Sequence, residues 1–198
     1  ALYGDACGTA EHCADPLCDS DGDRGDFLTE TGFVPKARYM MRALELAAQA
    51  AAMGEVPVGA VVVQKSTGRI IGEGYNRREA DRSPLAHAEI MAIDAASRTL
   101  GGWRLLDSAL YVTLEPCPMC AGAILHARLE QVVYGTADPK GGAVDSVEQL
   151  FTLPYNWTPE VHAGLLQAEC AQILRDFFRD LRLKKQAEKI ARNGISML

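Results

Sequence analysis

The sequence lacks three features that would place it in a membrane, in a secreted compartment or in a repeat architecture. Its 198 residues contain no run of about 18 apolar residues, which a membrane-spanning helix requires. The first residues lack the basic start, the apolar middle and the small-residue cleavage site of a secretion signal. No segment repeats at a fixed period. We therefore expect a cytoplasmic globular protein without a membrane partner.

The acidic excess of the chain lies in one segment. Residues 1–35 hold eight of the 26 acidic residues and one of the 20 basic residues, with many glycines and few aliphatic side chains. This composition is typical of disordered chains, and we interpret residues 1–35 as an acidic, disordered leader. Its Cys7, Cys13 and Cys18 match no common metal-binding spacing, so their role stays open. The length of the remainder predicts a single domain over residues 36–198.

Hydrophobic periodicity predicts helices over residues 36–53, 87–98, 117–126 and 164–191, and strands over residues 58–63, 69–75, 109–114 and 131–135. The first helix has an apolar stripe of Met40, Met41, Leu44, Ala47, Ala48 and Ala51. Residues 136–158 are predicted to form a loop with one helical turn near residues 146–151. Because a helix separates the last two strands, we expect them to be parallel. The order of elements indicates an α/β fold with three layers, in which helices cover both faces of a mixed sheet of about five strands.

One histidine and two cysteines form a pattern that is typical of a catalytic zinc site. His87 lies at the start of one predicted helix, and Cys117 and Cys120 lie three positions apart at the start of another. A helix N-terminus favours the thiolate form that zinc needs, and sulfurs at this spacing share one face. Structural zinc sites usually have four protein ligands, whereas catalytic sites have three and a water. We therefore predict one Zn²⁺ bound by these three residues.

Glu89, two residues after His87, is the candidate proton carrier of this site. Two thiolates and an imidazole already supply three ligands, so the carboxylate is available for proton transfer. Zinc can lower the pKa of water to about 7, which makes hydroxide available near neutral pH. This chemistry suits hydrolytic removal of an amino group from an electron-poor ring carbon, with Glu89 protonating the ring nitrogen and then the leaving amine. His-x-Glu followed by Pro-Cys-x-x-Cys is the known signature of zinc deaminases.

Further segments within residues 36–182 resemble the bacterial tRNA-specific adenosine deaminases. They are Gly54–Val61, Gly74–Arg77, Ala86–Ile90, Leu110–Cys117, Met119–Ala123, Val133–Gly135, Asp138–Lys140, Gly142–Ala143 and Asp176–Arg179. The zinc motif alone specifies only the deaminase superfamily, whereas the Asp-Pro-Lys loop and the final helix favour the tRNA branch. The resemblance implies a cytidine-deaminase-like fold and a homodimer. It also implies conversion of adenosine to inosine at the wobble position of a tRNA anticodon stem-loop.

The resemblance also implies positions for substrate contacts, which are Asn76, Val58, Leu114, Asp138, Lys140 and Phe178. Asn76 would hydrogen-bond the flipped base, while Val58 and Leu114 would wall its pocket. Asp138 and Lys140 would meet the backbone and sugars of the anticodon, and Phe178 would border the RNA. Asparagine and aspartate also stabilise turns, so Asn76 and Asp138 each have a structural alternative.

Two other functions and one surface assignment stay open. The chain could deaminate a free base or nucleoside, such as guanine, cytosine or cytidine, or it could be an RNA-binding module with structural zinc. The basic residues near the C-terminus, which could touch phosphate or form a solvated helix face, are Arg175, Arg179, Arg182, Lys184, Lys185, Lys189 and Arg192. The segments 144–146 and 153–158 depart from the pattern expected for the family.

Overall fold

The computed structural model describes residues 33–195. Its elements in chain order are α1 (Ala37–Ala52), β1 (Gly59–Gln64), β2 (Arg69–Tyr75), α2 (Ala88–Leu100), β3 (Ser108–Leu114), α3 (Pro118–Ala127), β4 (Gln131–Thr136), a short 3-10 helix (Leu150–Thr152), β5 (Glu160–Ala163) and α4 (Gln167–Ile195). The predicted leader lies outside the described residues except at positions 33–35, and its disorder stays a prediction. Among the described residues, no helix has both the length and the apolarity needed to cross a bilayer.

The five strands form one mixed sheet in the order β2-β1-β3-β4-β5. β1 pairs antiparallel with β2 and β3, whereas β4 pairs parallel with β3 and β5. The predicted parallel pairing of the strands on either side of α3 is therefore confirmed. Helices lie on both sides of the sheet, which confirms the predicted three-layer α/β fold.

β5 is the one strand of the sheet that sequence periodicity did not predict. It has four residues, pairs only with β4 and is at most half-buried along its length. A short edge strand with polar side chains lacks the alternating apolar pattern by which strands are recognised. The predicted helical turn near residues 146–151 is shorter in the structure and begins at Leu150.

The buried face of α1 differs from the predicted stripe. Met41 is 51% exposed and Ala48 is also exposed, whereas Ala43 and Ala47 are completely buried. The reason is a close contact with β1, because a Cβ added at Gly59 would collide with the carbonyl oxygen of Ala43. Ala43 therefore faces the sheet at this contact, and Met41 faces outwards.

α2 approaches β2 closely because both contact surfaces consist of very small residues. Ala88 and Ala92 are completely buried, and a Cβ added at Gly72 or Gly74 would collide with their carbonyl oxygens. Glycine is the residue that permits such an approach of helix and strand backbones. This contact fixes the position of the start of α2 relative to the sheet. Two of the predicted site residues, His87 and Glu89, lie at this start.

Candidate metal centre and substrate cleft

Two helix N-termini bring the predicted metal ligands together. His87 is the N-cap residue of α2, Cys117 is the N-cap residue of α3, and Cys120 lies in the first turn of α3. Pro118 occupies the first turn, where a backbone N–H has no partner within the helix. The helices start where the sequence motifs predict, so local rules place each ligand and the fold brings them into one cluster.

The distances between the three side chains fit a zinc ion. Nδ1 of His87 lies 3.7 Å from Sγ of Cys117 and 3.6 Å from Sγ of Cys120. A tetrahedral Zn²⁺, with Zn–S bonds of about 2.3 Å and a Zn–N bond of about 2.0 Å, places such atoms about 3.5 Å apart. The three ligand atoms can therefore fill three of the four positions around zinc, with the fourth available to a non-protein ligand.

Hydrogen bonds between the three ligand side chains shift their pKa values. The hydrogen bond with Cys120 lowers the pKa of Cys117 to about 4, and the same contact raises the pKa of Cys120. The hydrogen bond with Cys117 raises the pKa of His87. Since zinc binds thiolates and neutral imidazole, metal binding at this cluster must release protons.

Glu89 lies in the first turn of α2 and is only 4% exposed. Burial raises the pKa of its carboxyl group to about 7, and the side chain also interacts with the thiol of Cys120. A carboxyl group with a pKa near 7 can both accept and release a proton at neutral pH. Glu89 therefore lies beside one of the predicted ligands, and its role as the proton shuttle stays a prediction.

Asn76 connects the start of α2 to the segment before β1. Its Nδ2 donates to the carbonyl oxygen of Val56 at 3.1 Å, and its Oδ1 accepts from the N–H of Ala88 at 3.3 Å. Its own N–H donates to the carbonyl oxygen of Val58 at 3.1 Å. Asn76 therefore has a structural role, and its predicted bond to a substrate base stays a prediction.

A cleft of about 860 Å³ begins at the end of β3, close in the chain to Cys117. Four predicted substrate residues line it: Leu114, Asp138, Lys140 and Phe178. A smaller cavity of about 160 Å³ is lined by Asn76 and also by Phe178. Val58 is 5% exposed and lines neither cavity. The structure thus gathers five of the six residues around two neighbouring cavities.

The wall that α4 contributes to this cleft carries positive charge. Arg179 is paired with Asp176 at 2.6 Å and with Asp180 at 3.2 Å. The side chains of Arg182 and Lys140, which also line the cleft, have no hydrogen bond or ion pair within residues 33–195. Arg182 and Lys140 are therefore the cations of the cleft that are best available to an anionic ligand.

Two buried carboxylates that sequence reasoning did not identify support the loops around the site. Glu55 is 3% exposed and accepts from the N–H groups of Glu79 and Ala80, both at 2.8 Å. Glu115 is 2% exposed. Burial acts to raise the pKa of Glu115, but hydrogen bonds from the loop after β4 outweigh it and hold the pKa below its ordinary value. For Glu115 the available signal was its place directly after the apolar strand β3.

Comparison with known proteins agrees with this geometry. The model of the MafB19-like deaminase family matches residues 34–182. The tRNA-specific adenosine deaminase of Bacillus subtilis is 47% identical over 152 residues, which are 76% of this chain and 93% of the relative. The tRNA-specific adenosine deaminase of Haemophilus influenzae is 48% identical over 160 residues, which are 80% of this chain and 92% of the relative.

The similar solved structures include a tRNA deaminase and a guanine deaminase. A structure from a study of A-to-I editing by tRNA:A34 deaminases has a TM-score of 0.68 and 45% identity, and the match covers 70% of this chain and 100% of that chain. A guanine deaminase from Nitrosomonas europaea has a TM-score of 0.60 and 28% identity, covering 73% and 85%. Sequence identity, TM-score and the covered share of the matched structure are all higher for the tRNA deaminase. The chain therefore belongs to the tRNA-specific adenosine deaminases, within the MafB19-like deaminase family.

Proposed function

We propose that this chain deaminates adenosine to inosine at the wobble position of a tRNA anticodon. The observation that carries the proposal is the buried carboxyl group of Glu89 beside three convergent ligand atoms, close to a cleft with uncompensated positive charge. Deamination needs a proton carrier beside the metal ligands. Binding of an RNA substrate needs positive charge for its phosphates.

We infer that His87, Cys117 and Cys120 bind one Zn²⁺ per chain. The spacing of their ligand atoms and the pairing of two thiolates with one imidazole fit this metal. Zinc, when bound, supplies an activated water near neutral pH. The N-terminus of α3, where both cysteines lie, stabilises their thiolates.

Glu89 moves the protons of the reaction. Its carboxylate accepts a proton from the attacking water and delivers it to N1 of the adenine ring, while oxygen bonds to C6. A second transfer through Glu89 protonates the exocyclic amine, and the C6–N bond then breaks. The balance is one water consumed and one ammonia released for each inosine formed. Its pKa of about 7 lets the same group act as base and as acid.

The two cavities receive the substrate. The bases of a single-stranded anticodon loop can be turned outwards at low energetic cost, so the target adenine enters beside Asn76 and Leu114, which line the two cavities. Asp138 and Lys140 contact the backbone and sugars, and Phe178 packs against a base of the loop. Arg182 adds a phosphate contact.

We also propose that the protein acts as a homodimer in the cytoplasm, where its tRNA substrate is found. The segment that precedes β5 exposes three large apolar side chains, and Val147, Leu153 and Tyr155 are 57%, 49% and 49% exposed. Apolar groups clustered within nine residues of a surface segment are typical of a protein–protein contact.

Inosine formation on an anticodon stem-loop tests the proposed function. Guanine and cytidine are assayed in parallel, because the fold is shared with a guanine deaminase of 28% identity. We expect ammonia release from the RNA and none from guanine or cytidine. Turnover of the small molecules alone would replace the proposal with the free-base alternative.

A further inference from the structure

Glu115 accepts an unusually large set of hydrogen bonds for one buried carboxylate. Its Oε1 accepts from the backbone N–H groups of Val144, Asp145 and Ser146 at 3.2, 2.8 and 2.9 Å. Its Oε2 accepts from the N–H of Asp138 at 2.9 Å and from the hydroxyl of Ser146. All five donors belong to one segment, residues 138–146, which follows β4.

Together the two carboxylate oxygens fasten both ends of this segment. Oε2 holds Asp138, where the segment begins, and also the hydroxyl of Ser146, whereas Oε1 holds the backbone of residues 144–146, where the segment ends. Lys140 lies between these ends and, with Asp138, lines the cleft. The charge of Glu115 therefore determines the path of the loop that presents both residues.

Three further contacts hold residues 138–146 in place over Glu115. A Cβ added at Gly142 would collide with the carboxylate, so the loop passes directly over it. The hydroxyl of Tyr134 donates to the carboxylate of Asp145 and fastens the same segment to β4. The N–H of Ala143 donates to the carbonyl oxygen of Pro116 at 2.9 Å. These contacts link the loop to the residues that lead into α3.

We propose that Glu115 is a positioning residue for the RNA substrate, which holds residues 138–146 in the shape that presents Asp138 and Lys140 to the anticodon loop. This inference rests on the proposed function. Glu115 touches neither the substrate nor the reacting atoms, and it acts through the loop that it fastens.

The replacement Glu115→Gln tests the inference because it keeps the shape of the side chain. An amide has one acceptor oxygen and one NH₂ donor, so one end of the segment must face a donor and detach. The matched control is Glu148→Gln, which removes an exposed carboxylate from the neighbouring stretch. Three quantities are measured for each variant: bound zinc, amide hydrogen exchange without RNA, and KM and kcat on the anticodon stem-loop.

For Glu115→Gln we expect at least tenfold faster amide exchange within residues 138–146 and at least a tenfold higher KM. We also expect one zinc per chain and a kcat within about threefold of the parent value, whereas Glu148→Gln should match the parent throughout. An unchanged KM, or loss of zinc from Glu115→Gln, would overturn the inference. If Glu115→Gln does not fold, Ser146→Ala removes a single hydrogen bond, and an unchanged KM in that variant also overturns it.

The experiment separates this inference from the function on which it rests. A parent protein that makes no inosine on the stem-loop would refute the proposed function. If the parent protein is active and Glu115→Gln has the same KM, only the proposed role of Glu115 is refuted.

Discussion

Replacing Glu89 with glutamine should remove catalysis and leave the metal centre in place. The amide has nearly the same shape but cannot accept a proton from water or return it to the base. A positioned general acid–base contributes roughly 10²–10⁴-fold to a rate. Glu89 is proposed to act in two successive transfers, so we expect the upper end, a loss of about 10⁴-fold in kcat. That factor corresponds to about 5 kcal/mol in activation free energy.

The same replacement should not destabilise the fold. Burial raises the pKa of Glu89 from the ordinary 4.5 to about 7. Above pH 7 the carboxylate is ionised in both the folded and the unfolded chain, and its burial then costs up to ~3 kcal/mol of folding free energy. A neutral glutamine avoids this cost. The metal-free variant should therefore unfold at nearly the same temperature as the parent at pH 4, below the unfolded-state pKa, and at a higher one at pH 8.

Single-turnover inosine formation, zinc content and thermal unfolding of the metal-free protein measure these effects. Asp94→Asn is the matched control, because Asp94 lies on the exposed side of the same helix in an ion pair with Arg98. It should change the rate by less than about twofold, since exposed pairs contribute little. If Glu89→Gln deaminates the stem-loop at the parent rate with zinc bound, the assignment of the proton shuttle is wrong.

Three further predictions concern the metal, the cleft and the sheet. Cys120→Ser should abolish zinc binding, and a chelator should lower the Tm of the parent protein but not that of the variant. Arg182→Ala should weaken RNA binding and reduce the slope of log K against log salt by about 0.7. Arg179→Ala should change this slope less, because Arg179 is already paired with two acidic side chains in the parent protein. Gly74→Ala should destabilise the fold by about 1–3 kcal/mol in denaturant titration, because its Cβ meets the backbone of α2.

These predictions have clear contrary outcomes. Full zinc occupancy in Cys120→Ser would remove that cysteine from the ligand set. If Arg182→Ala and Arg179→Ala show equal salt slopes, the basic residues of α4 form a solvated helix face and do not contact the RNA. Gly102→Ala is the control for the sheet, because nothing lies within 4 Å of the added carbon. If Gly74→Ala and Gly102→Ala are equally stable, the close contact between α2 and β2 does not limit the fold.

The convergence of His87, Cys117 and Cys120 could be predicted because its signals are local. His87 and Cys117 each lie at a helix start, and helix starts depend on a few neighbouring residues. The apolar strands were recognised for a similar reason, since β1 and β3 are buried along nearly their whole length. The edge strand β5 and the inner face of α1 were not, because each depends on its tertiary neighbours. Met41 shows this, as an apolar residue that the contact at Gly59 turns outwards.

The sequence by itself determined which residues can carry the chemistry, because the ligand types, their spacing and the nearby carboxyl group are properties of short segments. Only the tertiary structure decided how the cleft beside the metal ligands is assembled. Glu115 fastens a loop that begins 23 residues later and ends 31 residues later, and no local pattern encodes that pairing. Burial, which raises the pKa of Glu89 to about 7, likewise arises from packing. Both depend on groups that are distant in the chain and meet only when the sheet and helices close around them.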